Sequence, residues 1–207
     1  MTSQRGTILS SVDRFWTADD LRGARSTRHR LLAFLAATGE LKRVHPGLYW
    51  RGRSTPLGFS APTPEQITSA LLGATPGVGP AGASAAHALR LSTQVPRVAL
   101  VAVPRRAPTS VVGVRFVARA ARTGRVDQGL AAVEVAVLEV LEAWHDVVEV
   151  SDGEATSALR VLLMSARADP GRLAAAATTE PREVRARLAE LLRSVGHEAL
   201  AAAIPTG

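Results

Sequence analysis

Between residues 17 and 51 the chain alternates helix, turn and hairpin signals at spacings that leave few ways to fold. Thr17-Ala18-Asp19-Asp20-Leu21 opens a short helix, with Thr17 a capping residue and both acids suited to the positive end of a helix dipole. Gly23 turns the chain, and Ser26-Thr27-Arg28-His29-Arg30 leads a second helix ending near Gly39. Leu41-Lys42-Arg43-Val44-His45, Pro46-Gly47 and Leu48-Tyr49-Trp50-Arg51 read as strand, tight turn and strand. Pro presets one φ for such a reversal and Gly accepts a positive one. Upstream, Ile8, Leu9, Val12, Phe15 and Trp16 share one face at helical spacing, which predicts a first helix packed beneath the motif. Helix, turn, helix and two-stranded wing in this order predict a winged helix-turn-helix over residues 1–58.

In the second helix, Leu31, Leu32, Phe34 and Leu35 form the expected buried side. Arg25, Arg28 and Arg30 crowd its N-terminal half with Ser26, Thr27 and His29. Arginine forks onto guanine, while hydroxyls and free amides at a helix start hold phosphate. The candidate DNA-binding residues are therefore Ser26, Thr27, Arg28 and Arg30 on the helix, with Lys42, Arg43, His45, Arg51 and Arg53 on and after the wing. The plainer accounts are a merely solvated cationic face and a winged helix with a structural or protein-binding role. Lys42 is the one lysine among 25 basic residues, so coding background also favours arginine.

The net charge of +7 is unevenly placed: residues 1–60 carry +6, 61–120 carry +5 and 121–207 carry −4. A basic first two-thirds and an acidic last third suggest a nucleic-acid end and a differently employed end. Without cysteine there is no disulfide framework and no thiolate zinc site. No signal pattern or membrane-spanning apolar run is present, so the expectation is a cytoplasmic protein without membrane contact. Pro and Gly in Ser54-Thr55-Pro56-Leu57-Gly58 mark a boundary, leaving residues 59–207 as a mixed α/β domain and the whole chain as α+β.

In that second part a helix is expected over 63–72, a Gly/Pro-rich stretch over 73–82 and a short helix over 84–91. Val98–Val103 and Val111–Val117 have the β-branched character of buried strands. Leu130, Val133, Val137, Leu138, Leu141 and Trp144 then follow helical spacing. Further helices are expected over 154–166 and from Pro181 to before Gly196, the last with Val184, Leu188, Leu191, Leu192 and Val195 inside.

Several stretches together resemble the AbiEi family, the antitoxin and operon-repressor half of bacterial toxin–antitoxin pairs, in its actinobacterial branch. The matching residues are Gly39 to Tyr49, Gly82 to Leu91, Thr93-Gln94-Val95-Pro96, the strand ending Val103-Pro104 and the helix Ala132 to Leu141. The resemblance runs from about residue 10 to 195 and implies an N-terminal domain that represses its own operon by binding operator DNA. It also implies a C-terminal domain that neutralises a toxin resembling a nucleotidyltransferase, with copies of the chain self-associating on repeated half-sites. Only the helix and wing cations carry over residue by residue.

Other constellations weigh less. Gly77-Val78-Gly79-Pro80-Ala81-Gly82 matches GxGxxG, but a predicted helix precedes it and Pro80 interrupts it, so a linker explains it better than a dinucleotide site. Ser84 and His87 lie one helical turn apart without a third catalytic partner, and the histidines have no metal-ligand spacing. No cofactor, metal or catalytic set is expected. Arg90, Arg97, Arg105, Arg106, Arg115 and Arg119, with Arg122 and Arg125, either extend a DNA footprint, face an acidic partner or guard a solvated sheet edge. Two further readings stay open: a stand-alone transcription regulator, and an enzyme that inactivates a partner protein by modification.

Overall fold

The apolar face running through Trp16 is divided between two kinds of backbone. In the computed structural model, which describes residues 3–56 and 58–206, helix α1 covers only Gln4–Ser10. Asp13 takes a φ of 50° and the chain leaves as strand β1, Arg14–Trp16. The expected single helix is therefore corrected. Phe15 and Trp16 belong to a strand, because pairing with a later strand satisfies their backbone groups while keeping Trp16 inside.

Thr17–Leu21 likewise forms one 3₁₀ turn, Ala18–Asp20, in place of an α-helix. The Asp20 carboxylate accepts from the Thr17 amide at 2.7 Å and from its hydroxyl at 2.8 Å. Helix α2 spans Arg25–Ala37, followed by β2, Lys42–His45, and β3, Leu48–Arg51. Gly47 turns this hairpin with a φ of 81°, a region costly for residues with a Cβ. The three strands form an antiparallel sheet in the order β1-β3-β2, with a register shift between Arg43 and His45. Ile8, Trp16, Leu21, Leu32, Leu35, Leu41 and Tyr49 make one core beneath α2.

The chain does not loosen where Ser54–Gly58 suggested a boundary, although Leu57 itself lies outside the described residues. Strands β4, Ser54–Thr55, and β5, Gly58–Phe59, pair with each other. Trp50 Nε1 donates to the Ser60 carbonyl at 2.8 Å, and Ser60 Oγ donates to Asp13 at 2.8 Å. Helix α3, Pro64–Leu72, starts in a reciprocal Thr63–Gln66 capping box. The contact pattern then divides the chain into Met1–Gly73 and Ala74–Gly207.

The second unit contains a three-stranded sheet, β6 (Gly79–Pro80), β7 (Ala99–Val103) and β8 (Val114–Ala118), in that spatial order. β6 and β7 run antiparallel, β7 and β8 parallel. Helices α4 (Gly82–Ala88) and α5 (Gly124–Asp127) accompany the sheet. Helix α6, Ala132–Glu142, is buried from Glu134 to Leu141, packed by α4, β6 and the later helix Arg182–Ser194. Helices α7 (Trp144–Val147), α8 (Asp152–Met164), α9 (Pro170–Ala176), α10 (Arg182–Ser194) and α11 (Glu198–Ala203) complete the unit. The glycines of the GxGxxG match serve packing. A Cβ on Gly79 would lie 2.7 Å from both the Ala132 carbonyl and Val135 Cβ, so only glycine lets β6 rest on α6. The architecture is α+β.

Candidate nucleic-acid interface

Helix α2 sorts its cations by helical phase. Leu32 and Leu35 are fully buried, and Arg28, four residues before Leu32, turns to the same side. Arg28 Nη1 donates to the Ala18 carbonyl at 2.9 Å and to the Leu21 carbonyl at 3.4 Å, with Asp19 3.6 Å away. Its guanidinium thus caps the preceding 3₁₀ turn and joins it to α2. Among the candidate cations of α2, Arg28 is the one turned inward and bonded to backbone. Phe34 is corrected: it is 52% exposed on the outer side, with the Arg5 guanidinium 6.0 Å from its ring centroid.

Ser26, Thr27 and Arg30 face solvent, as do Arg25 and His29. Their side chains enter no hydrogen bond or ion pair among the described residues. Ala24 precedes the helix and offers no side-chain cap, and the first turn holds no acid. The amides of that turn and the positive end of the helix dipole are therefore open to an anion. Further along the outer side stands Ala33, small enough for close approach to a surface.

The cations on and after the β2–β3 hairpin divide in the same way. Lys42 and Arg43 are exposed and unpaired among the described residues, while His45 is half-buried with Nδ1 3.2 Å from the Pro46 carbonyl. Arg51 is a structural strut. It donates to the Glu40 carbonyl at 3.1 Å and the Leu9 carbonyl at 3.3 Å, and stacks 4.4 Å over Phe59. Arg53 is exposed but paired with Asp13 at 3.3 Å. Hydrogen bonding from Ser60, reinforced by Arg53, holds the Asp13 carboxyl below its ordinary value against the opposing effect of burial.

The basic middle of the chain separates into two sets. Arg90, Arg97, Arg105, Arg106 and Arg115 are exposed. Arg119 leaves the expected surface, and Arg122 and Arg125 go with it. Arg119 holds Glu139 in two bonds of 2.9 Å each, and Arg122 bonds Glu142, with Nη1 at 2.7 Å. Arg125, with 0% side-chain exposure, donates to Glu180 at 2.7 and 2.9 Å and to Glu139 at 2.7 Å. Burial alone would raise the Glu139 carboxyl, but Arg119 and Arg125 hold it below the usual carboxylate range. The clue lay in α6: Glu139 sits amid Val137, Leu138, Val140 and Leu141, where a carboxylate requires a buried partner.

Ser84 and His87 form no pair of consequence. Ser84 Oγ accepts the Leu100 amide at 2.9 Å, tying α4 to β7, and His87 is exposed. Among the described residues, no three His, Asp or Glu side chains converge as a metal site, and no helix is long and apolar enough to cross a membrane.

No protein-family model and no curated protein matches the chain. A solved structure, that of the RV2827C protein from Mycobacterium tuberculosis, is similar with a TM-score of 0.54 over 97% of this chain and 78% of its own, at 19% identity. The likeness is one of fold. It extends over both units of the chain and carries no residue roles at that identity.

Proposed function

We propose that this chain is an antitoxin and autorepressor. A winged helix-turn-helix in the first unit binds operator DNA, and the second unit neutralises a toxin resembling a nucleotidyltransferase. The observation that carries the DNA reading is the outer face of α2. Its N-terminus has no side-chain cap and no acid, its flanking hydroxyls and cations are free, and the inward Arg28 fixes its seat. The order α1, β1, 3₁₀ turn, α2 and hairpin supports the winged-helix reading. On this reading α2 enters the major groove with Ser26, Thr27, His29 and Arg30, and Lys42 and Arg43 lie along phosphates. The antitoxin role rests on the resemblance over residues 10 to 195.

Two experiments test this. The full-length chain is titrated against duplex DNA from upstream of its own reading frame, and a host co-expresses it with each adjacent gene. Salt-sensitive, sequence-selective binding together with rescue from a toxic neighbour supports both roles. Absence of selective binding removes the repressor reading, and absence of any toxic neighbour removes the antitoxin reading.

A second reading has one observation in its favour. A half-open groove of about 430 Å³ lies among α6, α7, α8 and α10, floored by Leu141, Leu159 and Leu191 and bordered by Trp144, Asp152 and Arg187. Its size suits a small ligand. A stand-alone regulator sensing such a ligand would bind DNA without rescuing the host from any neighbour.

A further inference from the structure

Between Gln66 and Val126 the sequence holds eight arginines and no acidic residue. Glu139, Glu142 and Glu180 neutralise Arg119, Arg122 and Arg125, which leaves five exposed and uncompensated. Two of these, Arg97 and Arg115, lie toward the starting end of the parallel pair β7 and β8. Val98, just before β7, is 41% exposed and Val112, just before β8, is 88% exposed, while Val95 on the segment leading into β7 is 74% exposed. Ala99 pairs with Val114 and its amide donates to the Gly113 carbonyl at 2.9 Å, so Val98 directly precedes this rung on one strand and Val112 lies two residues before it on the other. The next rung pairs Leu100 with Arg115.

The backbone that presents these side chains is tied down. Glu149 accepts from Ser92 Oγ at 2.8 Å and from the Thr93 amide at 3.0 Å, and the Gln94 amide donates to Ser92 Oγ at 3.0 Å. Val111 and Val114 exchange two backbone bonds of 3.0 Å around Val112. Apolar side chains held outward on a fixed backbone and bordered by cations form a surface that loses little entropy on docking.

We propose that this end of the sheet docks an acidic protein. Val95, Val98 and Val112 would form the apolar centre, with carboxylates of the partner reaching Arg97 and Arg115. Nucleic acid would satisfy the arginines but press three valines against phosphates. A second copy meeting this surface about a twofold axis would set arginine against arginine. For its partner the inference rests on the antitoxin reading, and it adds to that reading the surface used.

The test uses full-length chain and the purified product of the toxic neighbouring gene, with calorimetric binding and, in parallel, anisotropy on operator DNA. Val95→Ser/Val98→Ser/Val112→Ser and, separately, Arg97→Glu/Arg115→Glu should each weaken partner binding at least about tenfold. DNA affinity should stay within about twofold for the valine variant, and an unchanged urea midpoint and far-ultraviolet circular dichroism show that its second unit is folded. Equal partner affinity in both variants overturns the surface and leaves the antitoxin reading intact, as does rescue in the host without any binding. Loss of DNA affinity with unchanged partner affinity assigns the surface to nucleic acid and overturns the proposal. Self-association abolished by both variants, with partner binding kept, assigns it to a second copy and does the same.

Discussion

Replacing Arg28 with alanine separates positioning from reading on α2. The change removes a charge-assisted bond to the Ala18 carbonyl at 2.9 Å and a longer one to the Leu21 carbonyl at 3.4 Å. Such a bond contributes about 1.5–3 kcal/mol when well shielded. Arg28 is 21% exposed, its buried Nε has no hydrogen-bond partner, and Asp19 at 3.6 Å is 97% exposed and adds little. The expected loss is therefore about 1–2 kcal/mol of stability. Trp16 and Trp50 are both buried in the first unit, so intrinsic fluorescence during urea unfolding reads the change there. Below the unfolding transition, Arg28→Ala should retain DNA affinity to within a few-fold. Arg30→Ala should do the reverse, with stability within about 0.5 kcal/mol and DNA binding weaker by about 1–3 kcal/mol if it reads a base. Unchanged stability in Arg28→Ala combined with abolished DNA binding would refute the inward seating of this guanidinium.

The remaining predictions concern the β2–β3 hairpin and the buried ionic network. Arg43→Ala should weaken all duplexes alike and reduce the slope of log affinity against log salt by about 0.9, measured by anisotropy across a salt series. Arg125→Met leaves Glu180 and Glu139 short of a buried partner and should cost about 3–5 kcal/mol, read as a lower urea midpoint of the full chain. Guanidinium hydrogen bonds hold Glu142, like Glu139, below the ordinary value of 4.5, Arg122 contributing most at Glu142. The stability they contribute is fully present above pH 4.5 and lost as pH falls through the lower folded-state values. Circular dichroism from pH 6 downward should show unfolding confined to the region below about pH 4.5, and a transition centred above it would contradict this coupling.

What the sequence disclosed depended on whether a signal was local. The α2 span, the Pro46-Gly47 reversal and α10 with its Val184, Leu188, Leu191 and Leu192 face were legible because turn residues, a proline or glycine at a helix end and 3.6-residue spacing act within a few positions. The break at Asp13 was hidden, since Phe15 and Trp16 suit a helical face as well as a three-residue strand, and only pairing with Tyr49 to Arg51 decides between them. Near Gly58 the deciding contacts are likewise remote in sequence. Ser60 bonds back to Asp13, Arg53 and Trp50, none of them a near neighbour in sequence. In the candidate interface, residue type announced a cationic helix but not which arginine was free. Phase relative to Leu32 and Leu35 places Arg28 inside and Arg30 outside. The run of arginines from Arg90 to Arg125 suggested one continuous surface until Glu139, Glu142 and Glu180, distant in sequence, claimed its last three members.

The central claim is that the outer face of α2 reads DNA, and competition between two duplexes tests it most directly. Full-length chain is bound to a labelled duplex from upstream of its reading frame and challenged with that duplex or with a scrambled one of equal composition, at fixed salt. The account predicts a preference of roughly a thousandfold or more for the native duplex. It also predicts that Arg30→Ala blurs this preference and Arg28→Ala keeps it. Equal competition by both duplexes, or a preference untouched by Arg30→Ala, would contradict it.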